Sequence, residues 1–463
     1  MTDVPGDAAS ALQPGPLLEP LLQFQGREAL IWRDRPILFD ELLAGVRAWR
    51  EILLPHGLGR GACVAFRGEF SPQTVMLLLA LFEADCIAVP LTRAGAEPVD
   101  ARLAIAAADA LIDFGNDDQW QLRRLSPPRP PPLLLQLRAS AHPGLILFSS
   151  GSTGEVKASL HDATRLLERH RQARRSYRCI GFLLLDHIGG LNTLASTLFG
   201  GGTLIAVADR SVATVCDAIA RHRAEVLPTT PTFLTMLLIA DAPRRRDLSS
   251  LSLITYGTEP MPQTVLSALR TALPRVRLKQ TYGLTEVGIL ATRTDDAGSL
   301  WMRVGGAGFE TQVRDGVLWI RARGAMLGYL NAPSPFDADG WLCTGDVVEQ
   351  DGDYIRICGR RSEVINVGGE KVFPTEVENI ILATDNIAEA AVMGMPSPVT
   401  GQVVVACVRL VADEPAHQVE ARVLAQCRRH LPEFKVPALV EVAAHALHSP
   451  RFKTLRKTPA AAP

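Results

Sequence analysis

The sequence predicts an α/β protein with a large N-terminal domain of layered α/β subdomains and a small α+β C-terminal domain. Through roughly the first 300 residues, segments of strand character alternate with longer segments of helical period. Beyond them, short strands are separated by Gly and Asp-Gly turns. The length of 463 residues, 47% of them hydrophobic, also exceeds what one ordinary core accommodates.

The alternation can be followed along the N-terminal part of the chain. Residues 29–33 have strand character, and apolar residues recur every three to four positions over 39–54, which predicts a helix. The pattern then predicts a strand at 63–68, a helix at 72–84 and a strand at 86–91. Such alternation favours a layered α/β arrangement with largely parallel strand pairing.

A proline-rich segment at 126–135 follows, and we expect it to be an extended, exposed connector. The remaining predicted elements are strands at 144–150, 201–207 and 251–257, a helix at 212–226, and a helix beginning near Pro374.

Charge and composition narrow the class of protein. A formal net charge of -1 provides no overall field toward nucleic acid or membrane. The first fifteen residues lack the basic region of a secretory signal, and the apolar run at 75–82 is too short to span a bilayer. The eight cysteines show no CxxC spacing, so neither a zinc site nor a disulfide framework is indicated. We therefore expect a soluble cytoplasmic protein, monomeric or homodimeric, with no nucleic-acid partner.

A loop rich in Gly, Ser and Thr follows the strand predicted at 144–150. Its backbone N–H groups, hydroxyls and lysine can together cradle an anion. A Walker A loop requires adjacent Gly and Lys, whereas Lys157 follows Val156, so that pattern fails. On this segment alone, a surface turn is an equally good interpretation. The candidate phosphate-binding residues are Ser149, Ser150, Gly151, Ser152, Thr153, Gly154 and Lys157.

The loop resembles the phosphate-binding loop of the adenylate-forming superfamily, which comprises acyl-CoA synthetases, aryl-acid ligases, peptide-synthetase adenylation domains and luciferases. Val156 replaces the proline usual in that family, and Ala158 replaces the usual glycine. Further segments resemble the family's other motifs, in family order and across almost the whole chain. The resemblance implies binding of ATP, with Mg²⁺, and of CoA or the phosphopantetheine of a carrier protein.

Two of these segments are implied to surround the nucleotide. The segment YGTEP resembles the one that flanks adenine; its candidate residues are Gly257, Thr258, Glu259 and Pro260. The segment QTYGLTEVG contains Thr281, Tyr282, Gly283, Thr285 and Glu286, and it matches the family motif Y-G-x-T-E fully. The tyrosine offers a flat face to a base, Thr285 a donor to phosphate, and Glu286 a hard oxygen ligand for Mg²⁺.

Two more segments complete the implied nucleotide site. Asp346 in WLCTGDVV is suited to accept hydrogen bonds from ribose hydroxyls, and Arg360 stands where the family's arginine contacts ribose and phosphate. Each motif alone also fits an ordinary structural role, such as a core tyrosine, a solvated glutamate, a turn aspartate or a surface arginine. Their joint occurrence in order favours the functional interpretation.

The C-terminal tail HSPRFKTLRK lies where the family has its adenylation lysine. Lys453 and Arg456 keep the K-x-x-R spacing, but Phe452 replaces the family's glycine. A basic, disordered tail is the alternative. The resemblance implies that Lys453 neutralises charge on the acyl carboxylate and the α-phosphate, while Lys157 and Mg²⁺ at Glu286 hold the β- and γ-phosphates.

The resemblance also implies two domains that move. The N-terminal domain is expected over 1–360 and the C-terminal domain over 361–463, with Ser362 at the hinge position. After adenylation the small domain is expected to withdraw the lysine. It would then present Gly368 and Gly369 to the acyl-adenylate, because glycine lets a pantetheine arm approach the backbone closely.

The segment LLLDHIGG bears on the acid that is activated. It resembles the family's H-x-x-G segment, which makes His187 the candidate gate beside the carboxylate; a core histidine bonded to Asp186 or to backbone is an equal alternative. Amino-acid-activating relatives have an aspartate after this position, whereas Ile188 follows here. An α-ammonium group would lack a partner, so a fatty, aryl or related carboxylic acid is expected.

The resemblance as a whole implies an AMP-forming acid–thiol ligase that makes acyl-AMP and then an acyl thioester. Lys371, Arg428 and Arg429 are candidates for binding the 3′-phosphate of CoA. A non-catalytic, regulatory nucleotide-binding relative is the alternative, motivated by the departures at Val156, Ala158, Ser362 and Phe452. A luciferase-like oxygenase is a third interpretation, with no specific support.

Overall fold

The structure is a computed structural model that describes residues 15–93, 98–150, 155–171, 175–294, 298–449 and 452–456. Residue contacts divide the chain into two units. The first unit comprises the described residues within Met1–Asp209, Leu284–Gly288 and Arg323–Pro335. The second comprises those within Arg210–Gly283, Ile289–Ala322 and Phe336–Pro463. The boundary expected after residue 360 stays a prediction.

The first unit contains eleven strands and six α-helices among the described residues. The strands are β1 Glu28–Trp32, β2 Arg35–Leu38, β3 Cys63–Arg67, β4 Ile87–Leu91, β5 Ala110–Phe114, β6 Trp120–Arg124, β7 Gly144–Ser150, β8 Val156–Asp162, β9 Arg178–Gly181, β10 Thr203–Ala206 and, from a later part of the chain, β19 Gly328–Tyr329. The helices are α1 Phe39–Leu53, α2 Pro72–Glu83, α3 Val99–Ala106, α4 Pro132–Ser140, α5 Ala163–Glu168 and α6 Ile188–Phe199. Short 3-10 helices span Glu19–Phe24 and Leu54–His56.

The remaining elements belong to the second unit, except that β14 and β15 each have one end residue in the first. The strands are β11 Val226–Thr229, β12 Leu253–Tyr256, β13 Arg277–Gln280, β14 Tyr282–Leu284, β15 Gly288–Arg293, β16 Arg303–Gly305, β17 Phe309–Arg314, β18 Val317–Ala322, β20 Leu342–Asp351, β21 Tyr354–Arg360, β22 Ile365–Val367, β23 Glu370–Val372, β24 Ile387–Ser397, β25 Gly401–Leu410 and β26 Leu439–Val442. The helices are α7 Val212–His222, α8 Pro231–Ile239, α9 Ala242–Arg245, α10 Gln263–Ala272, α11 Pro374–Ile381 and α12 Ala416–His430. Short 3-10 helices span Arg361–Glu363 and Glu433–Lys435.

The predicted α/β fold class is confirmed, and the local sequence explains most of the elements. Helix α2 begins where Ser71 and Thr74 form a reciprocal capping box, with Pro72 at the first helical position. The prediction of an extended connector at 126–135 was wrong for its last four residues, since α4 begins at Pro132. Leu134 and Leu137 are buried in the core, and burial of apolar side chains favours the helix over an extended, exposed conformation.

The first unit contains a seven-stranded sheet of order β19-β8-β7-β4-β3-β5-β6. The central pairs β3/β4, β3/β5 and β4/β7 are parallel, as the alternation predicted. Strands β7 and β8 are an antiparallel hairpin, and β19 pairs with the outer edge of β8. Residues near 328 are thereby brought beside those near 159. A second set of strands in this unit has the order β9-β10-β1-β2.

The second unit contains a parallel set β11-β12-β13 and an antiparallel sheet of order β17-β18-β20-β21. The register of β20 and β21 sets Asp346 opposite Arg360. Strands β22 to β26 form a further sheet, and α11 and α12 pack on it around a core that includes Val392, Val419 and Val423. A helix of period 3.6 and alternating strands supply the apolar face on each side of this core.

Strand β8 carries a buried histidine. His161 is 1% exposed, and among the residues that the structure describes neither ring nitrogen has a hydrogen-bond partner. Burial lowers the pKa of His161 to about 4, because the charged imidazolium loses its hydration.

We expect His161→Leu to stabilise the protein most at acidic pH. The histidine is neutral in both states above its ordinary pKa of 6.5. As pH falls from 6.5 toward about 4, the unfolded state binds the proton first, and up to about 3 kcal/mol of stability is lost. The variant should lose this pH dependence, measured as thermal midpoints at pH 5 and 7.5. The exposed-site control His56→Leu should keep it, and an unchanged pH dependence in the His161 variant would contradict the assignment.

No helix in the described part of the chain is both long enough and apolar enough to cross a lipid bilayer.

Candidate active site

The predicted phosphate-binding segment is flanked by the paired strands β7 and β8. Ser149 pairs with Lys157 across this hairpin, and Ser150 pairs with Val156. The segment Gly151–Gly154, which contains the predicted residues Gly151, Ser152, Thr153 and Gly154, lies outside the described residues. Lys157 itself lies in β8, so the pairing of β8 with β7 determines the position of its backbone.

The two departures from the family loop lie in regular structure. Val156 and Ala158 belong to β8, and the side chain of Asn331 spans them. Its amide nitrogen donates to the carbonyl of Val156 at 2.7 Å, and its oxygen accepts from the N–H of Ala158 at 2.9 Å. The Asn331 amide thus satisfies two backbone groups on the outer edge of β8, and the β-branched side chain of Val156 suits a strand.

Lys157 belongs to a cluster of side chains that the sequence did not predict. Its ammonium lies 5.3 Å from the ring centroid of Tyr329, and the hydroxyl of Tyr329 donates to Glu286 Oε1 at 2.5 Å. Burial, with the nearby negative charge of Glu286, raises the pKa of Tyr329, so its hydroxyl remains a donor at neutral pH. One tyrosine therefore contacts both the predicted phosphate lysine and the predicted metal carboxylate. The only sequence signal was its place in the segment LGYLN, two residues before Asn331.

Glu286 is held by backbone as well as by side chain. Its carbonyl accepts from the N–H of Met326 at 2.8 Å, and Thr285 precedes it in the turn after β14. Both residues are half-buried. Within the described ranges no group of three or more His, Cys, Asp or Glu residues is placed to hold a metal. A single oriented carboxylate fits Mg²⁺, which keeps several waters and takes its other ligands from substrate phosphates.

Tyr282, Asp346 and Arg360 form a second cluster. The hydroxyl of Tyr282 donates to Asp346 Oδ2 at 2.5 Å, and Arg360 Nε lies 3.3 Å from Oδ1. Burial raises the pKa of Asp346, and the neighbouring Arg360 opposes that shift. Gly283, next in β14, is half-buried. The two expected nucleotide residues Tyr282 and Asp346 are thus in direct contact, with Tyr282 at the start of β14 and Asp346 within β20.

The YGTEP segment follows β12. Gly257 packs against Thr281, since a Cβ at Gly257 would lie 2.5 Å from Thr281 Oγ1 and 2.7 Å from its carbonyl oxygen. Thr258 is exposed and has a left-handed φ of 71°. Glu259 and Pro260 are half-buried. Gly257 is therefore required for the close approach of the YGTEP segment to the QTYGLTEVG segment.

His187 caps helix α6. Its Nδ1 accepts from the backbone N–H of Gly189 at 3.0 Å, so the ring proton resides on Nε2. This backbone bond agrees with the alternative role of His187 as a histidine bonded to backbone, and the ring is half-buried. Gly190 is also required, because a Cβ there would lie 1.9 Å from the carbonyl oxygen of Leu184.

Lys453 belongs to a hairpin that we call the tail hairpin, residues 447–449 and 452–456. The N–H of Ser449 donates to the carbonyl of Lys453 at 2.9 Å, and that of Leu455 to Leu447 at 2.7 Å. Phe452 has a left-handed φ of 54°, which explains a glycine at this position in the family.

Ring contacts offset the backbone cost at Phe452. Its ring stacks on His448 at a centroid distance of 5.3 Å and meets Phe233 edge-on at 5.9 Å. Arg456 anchors the far end of the tail hairpin with bonds to both oxygens of Glu378 at 2.9 and 2.8 Å. The Lys453 side chain itself is exposed.

The predicted hinge and thiol-access residues lie in the second unit. Ser362 is exposed in the 3-10 helix Arg361–Glu363. Gly368 and Gly369 form the turn between β22 and β23, with φ of 60° and 93°. The N–H of Gly368 donates to Thr400 at 2.8 Å, which holds the turn in the left-handed conformation that glycine adopts without strain.

Comparison with known sequences identifies the class of protein that these clusters belong to. The profile of the AMP-binding enzyme family matches residues 19–330, and that of the AMP-binding enzyme C-terminal domain matches residues 376–450. The chain therefore belongs to the AMP-binding enzyme family. The resemblance read from the motifs is confirmed at this level.

Two curated proteins illustrate the relatives to which the chain is similar in sequence. The 3-[(3aS,4S,7aS)-7a-methyl-1,5-dioxo-octahydro-1H-inden-4-yl]propanoyl:CoA ligase of Mycobacterium tuberculosis is 34% identical over 321 residues, which cover 64% of this chain and 61% of that protein. The indoleacetate–CoA ligase of Aromatoleum aromaticum is 27% identical over 438 residues, covering 83% and 85%. The chain spans about 60% of the length of the first curated relatives it matches.

The fold also matches solved structures. The anthranilate CoA ligase AuaEII, solved with anthranoyl-AMP, superposes with a TM-score of 0.81 at 20% identity, covering 97% of this chain and 98% of that one. This similarity establishes the fold: a large AMP-binding N-terminal domain and a small C-terminal domain.

Proposed function

We propose that the protein is an ATP-dependent ligase that activates a carboxylic acid as acyl-AMP and transfers the acyl group to the thiol of CoA or of a carrier-protein phosphopantetheine. In the first step a carboxylate oxygen attacks the α-phosphorus of ATP, and pyrophosphate leaves. In the second a thiolate attacks the acyl carbonyl carbon, and AMP leaves. Family membership supports this chemistry, as do the names of the curated relatives, which are CoA ligases.

The observation that carries the proposal is the cluster of Lys157, Tyr329 and Glu286. A cation and a carboxylate held by one tyrosine are suited to a magnesium–pyrophosphate group, because the lysine attracts phosphate and the carboxylate retains the cation. Mg²⁺, when bound, would neutralise charge on the leaving phosphates. Thr285, half-buried beside Glu286, would donate to a phosphate oxygen.

The other candidate residues have complementary roles in this proposal. Tyr282 would lie against the base, while Asp346 and Arg360 would bind the ribose and its phosphate. Lys453 would stabilise charge on the α-phosphate as the acid attacks, and would withdraw before the thiol arrives. Gly368 and Gly369 would then border the thiol.

The surroundings of His187 support an acid without an α-ammonium group. Ile188, which follows it, is 3% exposed and apolar. The preceding Asp186 directs Oδ2 to Thr92, accepting from its hydroxyl at 2.8 Å and its N–H at 3.3 Å. An ammonium group beside Ile188 would lose its hydration without gaining a carboxylate there. Fatty, aryl and related acids are therefore the proposed substrate class.

Acid-dependent ATP–pyrophosphate exchange tests the proposal directly. The panel would contain octanoate, benzoate, phenylacetate and several α-amino acids, with product analysis after addition of CoA or a phosphopantetheinylated carrier protein. Exchange with a fatty or aryl acid, followed by thioester formation, is the expected result. Exchange with amino acids alone would contradict the argument from Ile188, and no exchange with any acid would favour a regulatory nucleotide-binding protein.

A further inference from the structure

The half-buried carboxyl group of Glu259 lies between helix α8 and the tail hairpin. Its Oε2 accepts from the hydroxyl of Thr232 at 2.7 Å, and its Oε1 accepts from the backbone N–H of Thr454 at 3.0 Å. Thr454 is the residue after Lys453. A side chain from the YGTEP segment therefore holds the backbone of the segment that carries the lysine.

We propose that Glu259 is a positioning residue for Lys453, holding the tail hairpin through the N–H of Thr454 while the acid is adenylated and letting it go when the lysine withdraws. The proposal rests on the proposed two-step function, since a hairpin that never leaves needs no detachable contact.

The contacts on the two sides of Lys453 differ in kind. Arg456 binds Glu378 through two hydrogen bonds and Glu363 through a third at 2.6 Å, and all three are charge-assisted. Glu363 and Glu378 lie in the C-terminal part of the chain, so these bonds tie the tail hairpin to the sheet and helices of that part. They can persist while the small domain moves.

The contacts that the described part of the tail hairpin makes with earlier residues include none of these paired, bidentate bonds. Among the described residues they include the backbone bond from Thr454 to Glu259, the edge-on contact of Phe452 with Phe233, and the attraction of Glu259 for the charges of Lys453 and Arg456. One hydrogen bond and one ring contact contribute little individually, so they can form and break on each catalytic cycle. Glu259 is the only carboxylate in the YGTEP segment and is the polar half of this detachable pair.

The contact between Glu259 and the N–H of Thr454 is expected to depend on pH, because the carboxyl group can gain a proton. Burial raises the pKa of Glu259 to about 7, and its bonds to Thr232 and Thr454 together with the charges of Lys453 and Arg456 oppose that shift. The protonated form keeps both contacts, because Oε1 still accepts from Thr454 and the acidic O–H donates to Thr232 Oγ1.

Docking of the tail hairpin is linked to protonation of Glu259, because docking removes the carboxyl group from water. When the tail hairpin leaves, the carboxyl group regains water, and its pKa returns toward the ordinary 4.5. The docked state therefore binds the proton more tightly, so docking strengthens as pH falls from about 7 toward 4.5 and is weakest above 7. Between pH 8 and pH 6 the docking equilibrium should rise about tenfold.

Hydrogen–deuterium exchange at the Thr454 amide of the full-length protein tests this without acid, ATP or CoA. Wild-type protection, corrected for intrinsic exchange, should be about tenfold greater at pH 6 than at pH 8. Glu259→Ala should lower it about tenfold at pH 6. Glu259→Gln, whose amide can accept from Thr454 and donate to Thr232, should keep protection and lose the pH dependence.

Glu83→Ala is the matched control. Glu83 is also a partly buried glutamate that accepts backbone N–H groups, those of Gly15 and Leu18, and burial also raises its pKa. This variant should leave Thr454 protection unchanged. Unaltered protection in Glu259→Ala would overturn the proposal, whether or not any acid supports pyrophosphate exchange, so its failure is distinct from failure of the proposed function.

The half-reactions provide a second readout once an acid from the panel is active. Glu259→Ala should slow pyrophosphate exchange about tenfold more than it slows thioester formation from supplied acyl-adenylate. A merely structural role would lower both together, and that result would also overturn the proposal.

Discussion

Lys453→Ala is expected to lower the rate of acyl-adenylate formation by about 100- to 1000-fold, the loss typical when one charge-stabilising donor is removed from a reaction centre. The tail hairpin presents the lysine on a backbone held by Ser449, Glu259 and the rings around Phe452, so the substitution removes the charge and leaves its support intact. Thioester formation from supplied acyl-adenylate should stay within about twofold of wild type, because the lysine is proposed to be withdrawn in that step.

The two half-reactions, measured as pyrophosphate exchange and as thioester release, decide this prediction. Lys435→Ala is the control, since Lys435 is another lysine of the C-terminal part and pairs with Glu376 at 2.7 Å. It should change neither half-reaction by more than about twofold. An equal fall of both half-reactions in Lys453→Ala would mean that one arrangement of the chain serves both steps.

Glu286→Gln is expected to lower adenylation about 100-fold at limiting Mg²⁺ and to raise the Mg²⁺ concentration needed for half-maximal rate. The amide keeps the size of the side chain and still accepts from the hydroxyl of Tyr329, so the change isolates the negative charge. A neutral amide is a weaker ligand than a carboxylate for a hard cation. The measurement is pyrophosphate exchange titrated with Mg²⁺, and an unchanged Mg²⁺ requirement would remove Glu286 from the metal role.

Tyr329→Phe tests the orientation of the Glu286 carboxylate separately from its charge. It keeps the ring beside Lys157 and the charge of Glu286, and removes only the hydrogen bond between Tyr329 and Glu286. We expect the rate of adenylation, measured as pyrophosphate exchange, to fall about tenfold, since a hydrogen bond to a charged group contributes about 1.5 kcal/mol or more. Tyr354→Phe is the matched control, because within the described chain the hydroxyl of Tyr354 has no hydrogen-bond partner, and its removal should leave activity unchanged.

Local patterns predicted most of the fold. The helices at 39–54 and 72–84 and the strands at 63–68 and 144–150 agree with α1, α2, β3 and β7 to within a residue or two. Period and capping are properties of neighbouring residues, and neighbours are visible in a sequence. The prediction of an extended connector at 126–135 failed because burial of Leu134 depends on distant residues that pack against it, which a local pattern does not show. Pro132 is also compatible with the first turn of a helix.

The sequence by itself determined the family, the order of the motifs and the charged residues that chemistry on a carboxylate and ATP requires. Only the tertiary structure decided how those residues are held. Tyr329 and Glu286 are 43 positions apart, and Glu259 and Thr454 are 195 apart. No local periodicity relates such positions, because strand pairing and hairpin docking bring them together only when the chain folds. The loop that first suggests phosphate binding thus depends, for the placement of its lysine, on a tyrosine from a strand far along the chain.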